Sequence, residues 1–147
     1  KIINISSNAG QLGFPFLGPY CSSKHALEGM SQSLRRELLL YGIDVIIIGP
    51  AAIKTPIWEK DSATTIPKSA QGTDYEKSMG IFQNIFRKEG ERGMESKKLA
   101  DKIFTIFEKK NPKTRYALAS RKFAEWIAPR YLIPNRMMDN MMRKIFK

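Results

Sequence analysis

The apolar positions of this chain fall into two short continuous runs and a series of helical stripes. Lys1-Ile2-Ile3-Asn4-Ile5-Ser6 and Ile43-Asp44-Val45-Ile46-Ile47-Ile48 are β-branched and nearly uninterrupted, the pattern of strands buried on both faces of a parallel sheet. Between them, Leu27, Met30, Leu34 and Leu38 recur at steps of three and four until Gly42, which predicts a helix from Pro19 to Tyr41. A later stripe of Leu99, Ile103, Ile106 and Phe107 predicts a helix over Ser96 to Lys109, stopped by Asn111-Pro112, and Arg115-Tyr116-Ala117-Leu118-Ala119 reads as a short last strand. Strand, helix, strand, helix, strand is the order of a parallel sheet with crossover helices, so the expected class is α/β.

The segment from Ile57 to Glu95 has a different character. Asp61-Ser62-Ala63-Thr64-Thr65 and Ser69-Ala70-Gln71-Gly72 are polar and turn-rich, as exposed loops are. Thr73-x-x-Glu76 then reads as a capping box, and Tyr75, Met79, Phe82 and Phe86 follow at helical spacing, which predicts a short amphipathic helix rising from the loop.

The chemistry centres on Tyr20-x-x-x-Lys24, with Ser7 thirteen residues upstream of the tyrosine. Four residues apart on a helix, Tyr20 and Lys24 share a face. A free phenol is a poor base at neutral pH, and an ammonium within a few ångströms favours its ionised form. Ser7 ends the first apolar run, which places its hydroxyl at the C-terminal edge of a strand, where open α/β sheets bind their ligands. Together the three residues outline a site that moves a proton to or from a carbonyl or alcohol oxygen.

Asn4-Ile5-Ser6-Ser7-Asn8-Ala9-Gly10 followed by Tyr20-Cys21-Ser22-Ser23-Lys24 resembles the central segment of the short-chain dehydrogenase/reductase family, including the interval from serine to tyrosine. Ala26-Leu27-Glu28-Gly29 and Leu34-Arg35-Arg36-Glu37-Leu38 are similar to its usual helix continuation. The resemblance implies the C-terminal part of a doubly wound, Rossmann-like parallel sheet with flanking helices, and an oxidoreductase that interconverts a secondary alcohol and a ketone or aldehyde with NAD or NADP. Ser7, Tyr20 and Lys24 are then the catalytic residues, and Tyr20 and Lys24 also meet the nicotinamide ribose. Pro50-Ala51-Ala52-Ile53-Lys54-Thr55 resembles the family's Pro-Gly-x-x-x-Thr loop, which implies Pro50, Ile53 and Thr55 as cofactor contacts. Ala51 stands where the family usually has glycine; were a positive φ required there, alanine would cost about 1 kcal/mol or more. The resemblance further implies that residues 57–95 form the substrate lid, with Trp58, Tyr75, Met79 and Phe82 as pocket-lining candidates, an assignment that competes with the plainer one of aromatics seating a helix on the core.

The family's Gly-rich pyrophosphate turn has no counterpart in these residues, so the chain is expected to match roughly the C-terminal half to three-fifths of a family member, with residues 1–119 forming the catalytic half. Two alternatives stand beside this reading: a non-catalytic, partner-dependent half-domain, which the same absence suggests, and a related tyrosine-lysine enzyme of the nucleotide-sugar epimerase kind, which the Ser7 spacing and the short lid disfavour. The choice between NAD and NADP rests on groups after the second strand of the full fold and is not readable here.

Composition leaves this picture intact and adds one feature. With 42% apolar and 27% charged residues the chain is ordinary for a globular domain, and no apolar run approaches the roughly 20 residues of a membrane helix, so a cytoplasmic location is the default expectation. Cys21 is the only cysteine, which excludes an internal disulfide; Cys21 and His25 form a spacing seen in nucleophile or metal pairs, but the further ligands of a metal site are missing. From Pro112 to Lys147 nine Lys or Arg face only Glu125 and Asp139, a balance of +7 out of the whole chain's +11. Within residues 120–147, Met137, Met138, Met141, Met142, Ile145 and Phe146 form a helical stripe beside Arg136, Arg143, Lys144 and Lys147. Three uses compete for this basic, Met-rich tail: core or subunit packing, a membrane-surface helix, or a flap over the substrate. Arg121, Lys122 and Arg130 alternate with Phe123, Trp126 and Tyr131 as in some nucleic-acid binders, yet no nucleic-acid motif accompanies them and a solvated basic face accounts for the charge. The expected partners are a small alcohol or carbonyl substrate and, by family resemblance, a second copy of the chain.

Overall fold

The computed structural model describes residues 1–59, 66–121 and 123–146, and the side chains of these except 123, 124 and 126. The polar run 61–65, Lys122, Lys147 and the side chains of Phe123 and Trp126 lie outside that description.

Three parallel strands form the sheet in the order β1 (Ile2–Ile5), β2 (Val45–Pro50), β5 (Arg115–Leu118). Ile2 pairs with Val45 and Ile5 with Ile48 on one side of β2, while Ile47 pairs with Arg115 and Pro50 with Leu118 on the other. All six residues of β2 are buried, and its alternation serves two layers. Ile46 and Ile48 join Ile106, Leu99 and Ile103 of the helix Ser96–Glu108 (α3), with Ile3, Tyr116 and Leu118 packed around them. Val45 and Ile47 face the long helix Gly18–Leu38 (α1) on the opposite face, beside Ser31 and Arg35. Helices on both faces of a parallel sheet are the doubly wound arrangement. The second strand begins at Val45 rather than Ile43, because α1 is extended by a 3-10 turn, Leu39–Tyr41, and Gly42 at φ 64° reverses the chain.

After β2 the chain forms a two-residue strand, β3 (Ile53–Lys54), that pairs in parallel with β4 (Met94–Glu95). This small sheet closes the base of the intervening segment. Gly93 allows the approach, since a Cβ there would stand 2.8 Å from the Ala52 carbonyl oxygen. Lys54 Nζ and Glu95 Oε1 add an exposed ion pair at 2.6 Å, and Ser96 Oγ donates to the Lys54 carbonyl at 3.0 Å.

Within the segment lies α2, Tyr75–Glu91, longer than the short helix the stripe foretold. Its start shares the work of a capping box between neighbouring positions: Thr73 Oγ1 accepts from Tyr75 N at 3.3 Å, and the Glu76 carboxylate accepts from Gly72 N at 2.6 Å. Beyond β5, a wide-turned π-helical stretch, Phe123–Leu132, contains Pro129 and leads to α4, Asn135–Phe146. The methionine stripe of α4 divides. Met138 and Met142 face the start of α1, whereas Met137, Met141 and Ile145 are exposed. Ser78 Oγ of α2 donates to the Phe146 carbonyl at 3.1 Å, and Arg121 bridges Glu89 of α2 at 2.8 Å and Glu125 at 3.1 Å. The hydrogen bonds to Glu125 and Glu89 hold the Arg121 guanidinium above its ordinary pKa. No helix among the described residues is long and apolar enough to cross a membrane.

Candidate active site at the sheet edge

Ser7 lies where β1 turns away from the sheet. Ser6 N still donates to the Ile48 carbonyl at 2.7 Å, and Ser7, extended at φ −160° and ψ 168°, caps the 3-10 turn Asn8–Gly10. Its hydroxyl accepts from Ala9 N at 3.2 Å and donates to Asn8 Oδ1 at 3.1 Å. A capping hydroxyl is held by the backbone on its acceptor side, so its donor proton is the part that exchanges partners.

Tyr20 and Lys24 stand on the first turns of α1, whose start carries Pro19 as helix N-termini favour. Lys24 Nζ lies 5.8 Å from the Tyr20 ring centroid and donates to the Ile5 carbonyl at 3.1 Å. That bond turns the ammonium toward the C-terminal end of β1, two residues from Ser7. Tyr20 remains 44% exposed, and Ser23 Oγ donates to its carbonyl at 2.7 Å. The three residues named from sequence are thus brought to one edge of the sheet.

Cys21 and His25 are used differently. Buried Cys21 accepts through Sγ from Phe14 N at 3.4 Å, tying the loop before α1 to the helix. His25 Nδ1 lies 2.8 Å from the Cys21 carbonyl oxygen, which fixes the tautomer protonated at Nδ1. The ring and the thiol do not pair with one another in these bonds. Among the described residues no group of three or more His, Cys, Asp or Glu is placed to hold a metal ion.

Ala51 N donates to the Leu118 carbonyl at 2.9 Å, and Phe16 is the one non-glycine residue with positive φ among those described, so Ala51 carries none of the strain that its departure from glycine raised. Met94 N donates to the Ala52 carbonyl at 2.9 Å. The next carbonyl along β3, that of Ile53, points to the other side, where Trp58 Nε1 donates to it at 2.6 Å. One lone pair of that oxygen remains, and Thr55 beside it is exposed. The Ile53 carbonyl and the Thr55 hydroxyl are an acceptor and a donor of the kind that can hold a carboxamide such as that of nicotinamide.

Of the lid candidates, Trp58 packs against Phe86 at 4.5 Å between ring centroids, and against Gly90, where a Cβ would stand 2.5 Å from its Cγ. It buttresses α2. Tyr75 and Phe82 instead converge on Phe16, at 6.4 and 5.5 Å, and Phe146 of α4 joins them at 5.7 Å, while Met79 is half-buried on the same helix. Phe16, in the loop between Ser7 and Tyr20, was not singled out from sequence; the apolar triplet Phe14-Pro15-Phe16 inside a loop was the available signal. An open cleft of about 560 Å³ lies on the other side of this loop, lined by Phe14, Pro15, Cys21, His25, Met138 and Met142. Tyr20 and Lys24 do not line it.

Residues 1–65 match the family model described as short chain dehydrogenase. The chain is 40% identical over 147 residues to the NADPH-dependent 3-dehydrocapnine reductase of Ornithobacterium rhinotracheale, covering all of this chain and 51% of the relative. It is 40% identical over 119 residues to an uncharacterized oxidoreductase of Bacillus subtilis (strain 168), covering 80% of this chain and 42% of the relative. A solved short-chain dehydrogenase from Streptomyces avermitilis superposes with a TM-score of 0.63 at 22% identity, over 98% of this chain and 47% of that one, a likeness of fold. The chain therefore spans about half the length of the relatives it matches. Along its whole length the chain is thus similar to members of the short-chain dehydrogenase/reductase family, and it shares the fold of the solved one.

Proposed function

We propose that this chain is the catalytic half of an NADPH-dependent carbonyl reductase that converts a ketone to a secondary alcohol. The observation that carries the reading is Lys24, which reaches from α1 to the Ile5 carbonyl and so gathers Tyr20, Lys24 and Ser7 around the C-terminal end of β1. The preference for NADPH and for the reductive direction is supported by the 40% identical relative, whose name states both.

Bound NADPH supplies the hydride that the carbonyl carbon receives. Ser7 gives up its bond to Asn8 Oδ1 and donates to the carbonyl oxygen, dispersing the negative charge that develops there. Tyr20 transfers its phenolic proton to that oxygen as general acid, and the exposed face of the phenol lets solvent restore the proton. Lys24 sets positive charge beside the phenol throughout. Ile53 and Thr55 would hold the carboxamide of the bound nucleotide, the Ile53 carbonyl accepting from its amide nitrogen and the Thr55 hydroxyl donating to its oxygen.

The 3-dehydro prefix in the relative's name denotes a carbonyl group, so 3-dehydrocapnine is the first probe ketone. In the full-length protein, Tyr20→Phe should lower NADPH oxidation with this probe by about three orders of magnitude and leave NADPH affinity within about twofold, because the ring stays and only the proton is lost. Turnover within tenfold of wild type in that variant would refute the assignment.

A further inference from the structure

Behind Ser7 lies a layer of polar groups that the proton transfer does not use. Glu28 of α1 is 4% exposed, and its carboxylate takes a fork from Arg115 of β5: Nε to Oε2 at 2.9 Å and to Oε1 at 3.1 Å, Nη2 to Oε1 at 2.9 Å. The guanidinium crosses β2 beneath Gly49, where a Cβ would stand 3.0 Å from Cζ. On the turn after Ser7, a Cβ at Gly10 would stand 2.5 Å from Ser6 Oγ and 2.9 Å from Glu28 Cγ. Gln11 Nε2 donates to Glu28 Oε2 at 3.3 Å, and Arg115 Nη2 donates to the Ser7 carbonyl at 3.4 Å. Turn, helix and edge strand therefore meet on one carboxylate, directly under the Ser7 peptide.

Stability alone gives no reason for this arrangement. The cost of taking both charges out of water offsets much of their attraction, and well-packed apolar pairs often serve a fold as well or better. What a forked guanidinium–carboxylate pair supplies that an apolar pair lacks is direction, since both groups are planar and their mutual orientation is fixed. We propose that Glu28 and Arg115 are positioning residues that set the Ser7 peptide, and through it the direction in which the Ser7 hydroxyl donates. The inference rests on the role given to Ser7 above. Gly10 and Gly49 leave the room that the pair and the turn require.

The test uses the full-length protein with NADPH and 3-dehydrocapnine. Arg115→Met combined with Glu28→Leu removes both charges and leaves no buried ion unpaired. The expected result is a wild-type melting temperature and NADPH affinity, KM for the ketone within about twofold, and kcat lower by about tenfold, the scale of a small misplacement at a reacting atom. In a Ser7→Ala background the same double substitution should lower kcat no further, because the group it positions is already gone. Arg115→Lys keeps the charge but cannot fork to both Glu28 and Ser7, and it should lower kcat by about threefold or more, with KM unchanged; this reading stands even if the double variant does not fold. An unchanged kcat in Arg115→Lys, or a further tenfold fall on top of Ser7→Ala, overturns the inference. Full turnover in Ser7→Ala itself would remove the role of Ser7 and this inference with it, a result distinct from a Ser7-dependent enzyme that is indifferent to the pair.

Discussion

Phe16 holds a left-handed backbone, φ 62°, that non-glycine residues seldom adopt. The Cβ of an L-residue costs about 1–2 kcal/mol there. Against that cost stand three ring contacts, with Tyr75, Phe82 and Phe146, each worth about 0.5–1.5 kcal/mol beyond area burial. Truncation of the half-buried ring should cost about 3 kcal/mol, near the low end for phenylalanine. Phe16→Ala loses the ring and keeps the strain, whereas Phe16→Gly loses the ring and sheds the strain. Glycine should therefore recover about 1 kcal/mol relative to alanine, since relief of the Cβ clash exceeds its extra freedom in the unfolded chain. Elsewhere in a chain the order is the reverse, with alanine the more stable by about 0.5–1 kcal/mol. Urea unfolding of the two variants in the full-length protein, compared at equal m, reads the difference directly. An alanine variant as stable as the glycine variant would falsify the account of Phe16 as a strained hub held by aromatic packing.

Other substitutions test other parts of the structure. Gly90→Ala drives a methyl into the Trp58 indole and should destabilise by about 1–3 kcal/mol with a shift in tryptophan emission; unchanged emission and stability would mean that Trp58 does not sit on Gly90. Ile48, fully buried at the centre of β2, should cost about 2–5 kcal/mol as Ile48→Ala in a urea melt, and a loss below 1 kcal/mol would contradict its place in the core. Lys54→Ala breaks an ion pair exposed on both sides and should change stability by less than about 0.5 kcal/mol, so a larger loss in thermal unfolding would show that the β3–β4 base depends on that pair.

Much of this was legible in the sequence where structure follows local pattern. The β-branched runs gave β1 and β2, the steps of three and four gave α1 and α3, and Tyr20 with Lys24 needed only helical spacing to share a face. The start of β2 was misplaced by two residues because Ile43 is as apolar as a strand residue while Gly42 and the preceding 3-10 turn still govern its backbone. The helix α2 is longer than its apolar stripe foretells because Phe86 against Trp58 and Glu89 against Arg121 hold it through Glu91. Glu28 and Arg115 lie 87 positions apart and each reads, in one dimension, as an ordinary solvated charge. Phe16 is a similar case, since its backbone state is imposed by rings brought from two distant helices. The pairing of two-residue strands β3 and β4 has no period long enough to detect.

The clasp formed by β3 and β4 separates two kinds of evolutionary change. Its parallel pairing brings Ile53 to Met94 and Lys54 to Glu95, so everything between is an excursion whose ends are already joined. Lengthening an excursion that is closed at its base costs only about 0.6 kcal/mol for each doubling. Ser7, Tyr20 and Lys24 all precede the clasp and are fixed by β1, β2 and α1. Insertions, deletions and substitutions in the excursion can therefore accumulate while Ser7, Tyr20 and Lys24 keep their places, so that under the proposed function the part that would choose a ketone is free to change apart from the part that would move its proton.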